Sequence, residues 1–184
     1  MHTALKLHPD GRCDAVAGVT VDVARPRPGL VVLNYELTGA VADLRLPPPS
    51  APARTDELWR RTCFEAFIRP AGGEAYFEFN FAPSRRWAAY RFDAYRAGMS
   101  ALGAIATPVI EARSGADRFE LDVTLDLGGW PELAGAGAWR LALSAVIEET
   151  SRRKSYWALT HPPGKADFHH ADGFALESPR PEGP

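Results

Sequence analysis

Apolar and polar residues alternate at a period of two along much of this chain. In DRFELDVTLDL, Phe119, Leu121, Val123, Leu125 and Leu127 fall on one side and Glu120, Asp122, Thr124 and Asp126 on the other. That alternation predicts a half-buried antiparallel strand with one wet face. Trp139, Leu141, Leu143, Ala145 and Ile147 repeat it in WRLALSAVIEE, and Val19, Val21 and Val23 in an earlier run. LVVLNYELTG at 30–39 is a further β-rich stretch. Helical spacing is confined to short turns near 56–60 and 94–99.

Proline and glycine punctuate these runs at RPRPG (25–29), LPPPSAPA (46–53), AGG (71–73), GG (128–129), GAG (135–137) and HPPG (161–164). Proline cannot serve a central ladder, so each break reads as a loop between strands. About nine or ten strands so separated predict an all-β, antiparallel β-sandwich, with a barrel as the other closed solution. LPPPSAPA reads as a long internal loop rather than a linker, because only 45 residues precede it. The expected organisation is one domain over 1–177 and a flexible tail over 178–184.

The richest chemistry lies between Leu58 and Phe92. CFEAFIRP and YFEFNFAP, joined by AGGEA, read as a hairpin. Phe77, Phe79 and Phe81 share one face of the second strand and belong in the core. Tyr76, Glu78 and Asn80 fall on the other, with Glu65 on the matching face of the first strand, so an open surface carrying two acids is expected. Like charges on adjacent strands destabilise a sheet unless a cation, a hydroxyl-rich ligand or a protonation shift compensates. Arg60, Arg61, Arg85, Arg86 and Arg91 are near in sequence and are candidates to neutralise them.

Charge adds little. A formal net charge of -2 gives no electrostatic argument for nucleic acid or anionic lipid. The N-terminus lacks the basic and apolar segments of a signal peptide, and no run approaches the roughly 18 apolar residues of a membrane span. The expectation is a cytoplasmic protein with no nucleic-acid or membrane partner, in which Cys13 and Cys63 are separate thiols.

LWRRTCFEAFI, YFEFNFAPSRRWAAYRF and YWALTHPPGKADFHHADGFAL together resemble the bacterial DOMON-like family, which is related to the family-nine carbohydrate-binding modules. The resemblance covers roughly residues 30–177. It implies two antiparallel sheets with a ligand site on one concave face. Trp59 stands six residues before Glu65, matching a tryptophan and a glutamate that hold sugar in those modules. Phe168 matches their second stacking aromatic, and Tyr76, Glu78 and Asn80 their row of polar groups. Glu78 is a departure, because the resemblance implies an arginine there. The physical logic agrees: flat rings cover the C–H faces of a pyranose while carboxyl and amide groups meet its hydroxyls.

HPPGKADFHHADGF holds three of the five histidines, and in the resembled family this loop borders the ligand. Lys165 and His169 are therefore further candidate ligand-binding residues. The histidine spacing matches no standard metal motif, and no metal is expected. Some DOMON domains bind haem through methionine and histidine; Met99 with His161, His169 or His170 would be that pair. No phosphate-binding, dinucleotide or nucleophile-elbow motif is present, and nothing reads as a flavin fold. Glycoside hydrolysis would rest on Glu65 and Glu78, but an open sheet face lacks the pocket that raises a carboxyl pKa. The expected function is non-catalytic binding of a sugar or sugar-like metabolite, without a cofactor.

Overall fold

A computed structural model describes residues 1–103, 105–135, 137–179 and 181. Its strands are β1 (His2–Leu7), β2 (Val16–Arg27), β3 (Leu30–Gly39), β4 (Ala53–Arg54), β5 (Cys63–Pro70), β6 (Tyr76–Phe81) and β7 (Arg86–Phe92). They continue as β8 (Ser100–Ala101), β9 (Val109–Ser114), β10 (Arg118–Asp126), β11 (Trp139–Glu148), β12 (Lys154–Ala158) and β13 (Leu176–Ser178). The one α-helical turn among the described residues is α1 (Pro131–Ala134). The chain is an antiparallel all-β fold with short helical turns.

The strands run in the order β4-β7-β6-β5-β11-β12-β1-β2-β3-β10-β9, with β13 on β11 and β8 on β7. β1 joins the two halves. Its first residues pair with β2, whereas Lys6 and Leu7 pair with Ala158 and Trp157 of β12. The curled sheet thereby closes two apolar faces on one core. The Phe64 ring lies 5.1 Å from Tyr35 and 5.8 Å from Phe119, and the Tyr35 hydroxyl donates to the Glu65 carbonyl at 2.8 Å. Among the described residues β4 against β7 is the one parallel pairing, two residues long.

Period two succeeds wherever one face is core. Phe77, Phe79 and Phe81 are buried with Val19, Val21, Val23, Leu121 and Leu143. The opposite face of β5–β7 and β11 departs from expectation, because it is buried too. There Phe67, Tyr76, Ala88, Tyr90, Phe92, Ala142 and Phe174 form a second apolar cluster, with Leu58 and Phe168 packed against it. Loops cover it, so the hairpin's outer surface is not open.

The turn at 56–60 holds a single 3-10 turn, Leu58–Arg60. The segment at 94–99 is not helical; Ala94 and Ala97 bridge in a tight reversal. Gly98 sits at φ +66° there, and a Cβ on it would meet the Asp93 carboxylate. The tail expectation also shifts. Ser178 pairs with Trp139 in β13 and is buried, while residues 180 and 182–184 lie outside the described residues.

Candidate functional site

A cleft of about 470 Å³ opens over that second face. Its floor crosses five neighbouring strands: Tyr90 and Phe92 on β7, Glu78 on β6, Glu65 on β5, Val146 on β11, and Lys154 and Tyr156 on β12. Three loops form the walls. Trp59 and Arg60 come from the 3-10 turn, Arg96 and Met99 from the 94–99 reversal, and Ala166, Phe168 and His169 from the histidine-rich loop. Glu57 and Arg96, at the roots of two of these walls, adopt left-handed φ of 61° and 51°. Non-glycine residues there carry strain that the surrounding structure must hold.

Strand register sets the acids. Glu65 faces Asn80 across β6 and Ser144 across β11, and Glu78 faces Phe67 and Tyr90. The two glutamates are therefore diagonal neighbours on one face. They are 3% and 5% exposed. Asn80 donates to Glu78 Oε1 at 2.7 Å, and Ser144 donates weakly to Glu65 Oε2 at 3.4 Å. Glu65 Oε1 is buried with no hydrogen-bond partner. No Lys or Arg nitrogen pairs with either carboxyl among the described residues.

Burial, opposed only partly by the Asn80 bond and the Arg96 charge, pushes the Glu78 carboxyl up to about 7. Burial and the adjacent Glu78 charge drive Glu65 well above the ordinary carboxylate range. The sequence expectation that this face could not raise a carboxyl pKa is thus corrected: the loops that bury it supply the low dielectric. Of the five arginines near the hairpin, Arg85 is exposed and the other four are engaged elsewhere. Arg60 pairs with Glu57, Arg61 with Glu148, and Arg91 with Asp93 and Glu132, while Arg86 donates to Thr55.

His169 is held from both sides. Its Nδ1 lies 2.8 Å from the Tyr76 hydroxyl, which accepts from the Arg96 backbone N–H at 3.2 Å. When the hydroxyl donates to Nδ1, the ring proton of the neutral imidazole sits on Nε2. Nε2 points toward Glu78 Oε2 at 3.9 Å, too far for a hydrogen bond. Burial and the Arg96 charge lower the ring to about 4, so it is neutral at pH 7. Asp167 ties two walls together by accepting from Arg96 Nη2 at 2.7 Å and from the Tyr95 hydroxyl. Burial works against its ionisation, but these hydrogen bonds keep it below the ordinary carboxylate range.

Of the sequence-derived candidates, Trp59, Glu65, Glu78, Phe168 and His169 share this cleft. Asn80 is fully buried beneath it and reaches it through Glu78. Tyr76 is buried behind it, stacked on Phe92 at 4.8 Å, and positions His169. Lys165 is exposed and does not line the cleft. Tyr90, Phe92, Arg96 and Tyr156 were missed. The alternation in RWAAYRF, which sets Ala88, Tyr90 and Phe92 opposite Trp87 and Ala89, was the available signal for two of them.

Met99, 59% exposed, borders the cleft with His169. The other histidines of the loop are engaged apart from it. His161 Nε2 donates to the Lys6 carbonyl at 2.8 Å, and His170 Nδ1 accepts from the Asp172 backbone at 3.3 Å. Among the described residues no group of three His, Cys, Asp or Glu side chains could hold a metal ion.

Solved structures share the overall fold. A Bacteroides uniformis protein whose proposed role is carbohydrate binding superposes with a TM-score of 0.58 at 13% identity, over 89% of this chain and 80% of that one. At that identity the likeness is one of fold. A family 9 carbohydrate-binding module from Caldicellulosiruptor kristjanssonii in complex with glucose gives 0.51 at 11% identity, over 91% and 78% of the two chains. Its structure with cellotriose gives 0.53 at 9% identity, over 87% and 74%. No protein-family model and no curated protein matches the chain.

Proposed function

We propose that this protein is a non-catalytic module that binds a sugar or sugar-like metabolite in the cleft over β5–β7, β11 and β12. One observation carries the reading. Five aromatic side chains, Trp59, Tyr90, Phe92, Tyr156 and Phe168, border a cleft whose floor holds two buried carboxyl groups. Rings of this kind cover apolar sugar faces, and neutral or ionised carboxyls both meet hydroxyls. The shared fold of glucose- and cellotriose-bound modules supports it, as does the resemblance to DOMON-like domains. Trp59, 39% exposed and edge-on to Tyr90 at 6.4 Å, is the stacking wall together with Phe168. Glu65, Glu78 and His169 make the polar contacts, Asn80 and Tyr76 fix Glu78 and His169, and Lys165 stands by as an outer contact. The module works in the cytoplasm without a cofactor.

Catalysis fits this cleft less well. Acid–base pairs work when their environments push two pKa values apart, yet here both carboxyls move upward together. A haem reading draws on Met99 and His169 sharing the cleft, but the imidazole's Nδ1 is already bonded to Tyr76 and its Nε2 faces Glu78.

Tryptophan fluorescence across a panel of neutral, phosphorylated and amino sugars tests the proposal. A saturable shift is expected, weakened about tenfold to a hundredfold in Trp59→Ala, since burying such a ring contributes about 1.5–3 kcal/mol. No response to any sugar would overturn it. A Soret band after haem reconstitution, or turnover of an activated glycoside lost in Glu65→Gln, would install the competing readings.

A further inference from the structure

Three buried carboxylates lie along this one sheet face, and the fold treats them differently. Glu148, further along β11, is met on one oxygen by Arg61 at 3.0 Å, Arg45 at 3.4 Å and Arg152 at 3.7 Å. Glu65 and Glu78 sit as deep and receive no guanidinium or ammonium among the described residues. Their protein donors are Asn80 and Ser144, and Glu65 Oε1 has none. Among the described residues the cleft acids are thus without a Lys or Arg partner, while three arginines gather on their neighbour. A buried carboxylate without a partner is costly, and a ligand that brings the partner recovers that cost. The aromatic border adds to this, because ring faces attract a desolvated ammonium.

Resting on the carbohydrate reading, we propose that the preferred ligand is an amino sugar, its free ammonium group seated between Glu65 and Glu78. The aromatic rings take the sugar's C–H faces, and the ammonium supplies the donor that Glu65 Oε1 lacks. Because burial raises both carboxyls of the empty pair, Glu78 to about 7, an incoming cation displaces a proton from the pair to the buffer. Other groups facing the pair do not take the cation's place. Arg60 and Arg96 are committed to Glu57 and Asp167, both at 2.7 Å. His169 is neutral, the Tyr90 hydroxyl donates to Asp56 at 2.6 Å, and Lys154 lies at the β12 end beside Tyr156.

Titration calorimetry near pH 7 with glucosamine, N-acetylglucosamine and glucose tests this. Glucosamine should bind at least about tenfold more tightly than the other two, a difference of about 1.4 kcal/mol. Its heat should change with the buffer's ionisation enthalpy in the sense of proton release, and that of glucose should not. In Glu78→Gln, and separately in Glu65→Gln, the glucosamine-to-glucose affinity ratio should fall toward one. Glucose binding as tightly as glucosamine overturns the amino-sugar inference and leaves the carbohydrate reading standing. A glucosamine preference that survives both variants also overturns it. Binding of none of the three overturns the amino-sugar inference, and the wider sugar panel then decides the carbohydrate reading.

Discussion

Phe64→Ala is expected to cost about 3–5 kcal/mol of folding stability, the loss of a large ring from a closely packed core. Phe64 is fully buried on β5, the strand that carries core on one face and cleft on the other. Its ring touches Tyr35 of β3 and Phe119 of β10, so it links the half of the sheet that holds the site to the half that backs it. The vacancy cannot collapse easily, because Tyr35 is fixed by its hydroxyl bond to the Glu65 carbonyl. Urea unfolding of wild type and variant should show the midpoint falling with little change in slope. A loss under about 1 kcal/mol would mean that the two halves do not pack through this residue. The same carbonyl anchor predicts that the variant loosens Glu65, so sugar affinity should fall along with stability.

Half of this architecture was legible in the sequence for a simple reason. Alternation reports which face of a strand meets the core, and it did so for Phe77, Phe79 and Phe81 and for the odd-numbered residues of β10 and β11. It does not report what covers the opposite face. The burial of Glu65 and Glu78 depends on three loops, one of them about ninety residues away along the chain, folding over the same strands. Two of those loops are held to each other by Asp167 with Tyr95 and Arg96, a contact with no local signature. Proximity in sequence misled for the arginines. Arg61 emerges on the Glu148 side of the turn, while Arg96, reached through the reversal at Gly98, is the cation whose charge is felt at Glu78. The aromatic wall divided likewise: Trp59 and Phe168 stood out by resemblance, whereas Tyr156, although it opens the YWALTHPPG run, matched no ligand-holding position there and is placed by pairing with Val146.

Glu78→Gln and His169→Gln should change stability with opposite pH dependence across roughly pH 4.5–6.5. In the folded protein Glu78 holds its proton up to about 7, against an ordinary 4.5. Between those values the unfolded chain has released a proton that the folded chain keeps, so stability falls as pH rises. Glu78→Gln removes that loss and retains an acceptor for Asn80. Relative to wild type it should be near neutral at pH 4.5 and more stable by on the order of 3 kcal/mol at pH 7. His169 behaves inversely, because its ring accepts a proton only at about 4, against an ordinary 6.5. The unfolded chain gains the proton first, so stability falls as pH falls. His169→Gln should therefore gain on wild type by a similar amount toward pH 4, above a constant offset for the lost Tyr76 bond. Denaturant unfolding at half-unit pH steps reads both difference curves. Parallel or flat curves would mean that the acid and the imidazole, 3.9 Å apart, share one proton rather than holding separate neutral states. Opposed slopes would mean that Glu78 and His169 are both held neutral between about pH 4 and 7, an instability retained because a ligand resolves it.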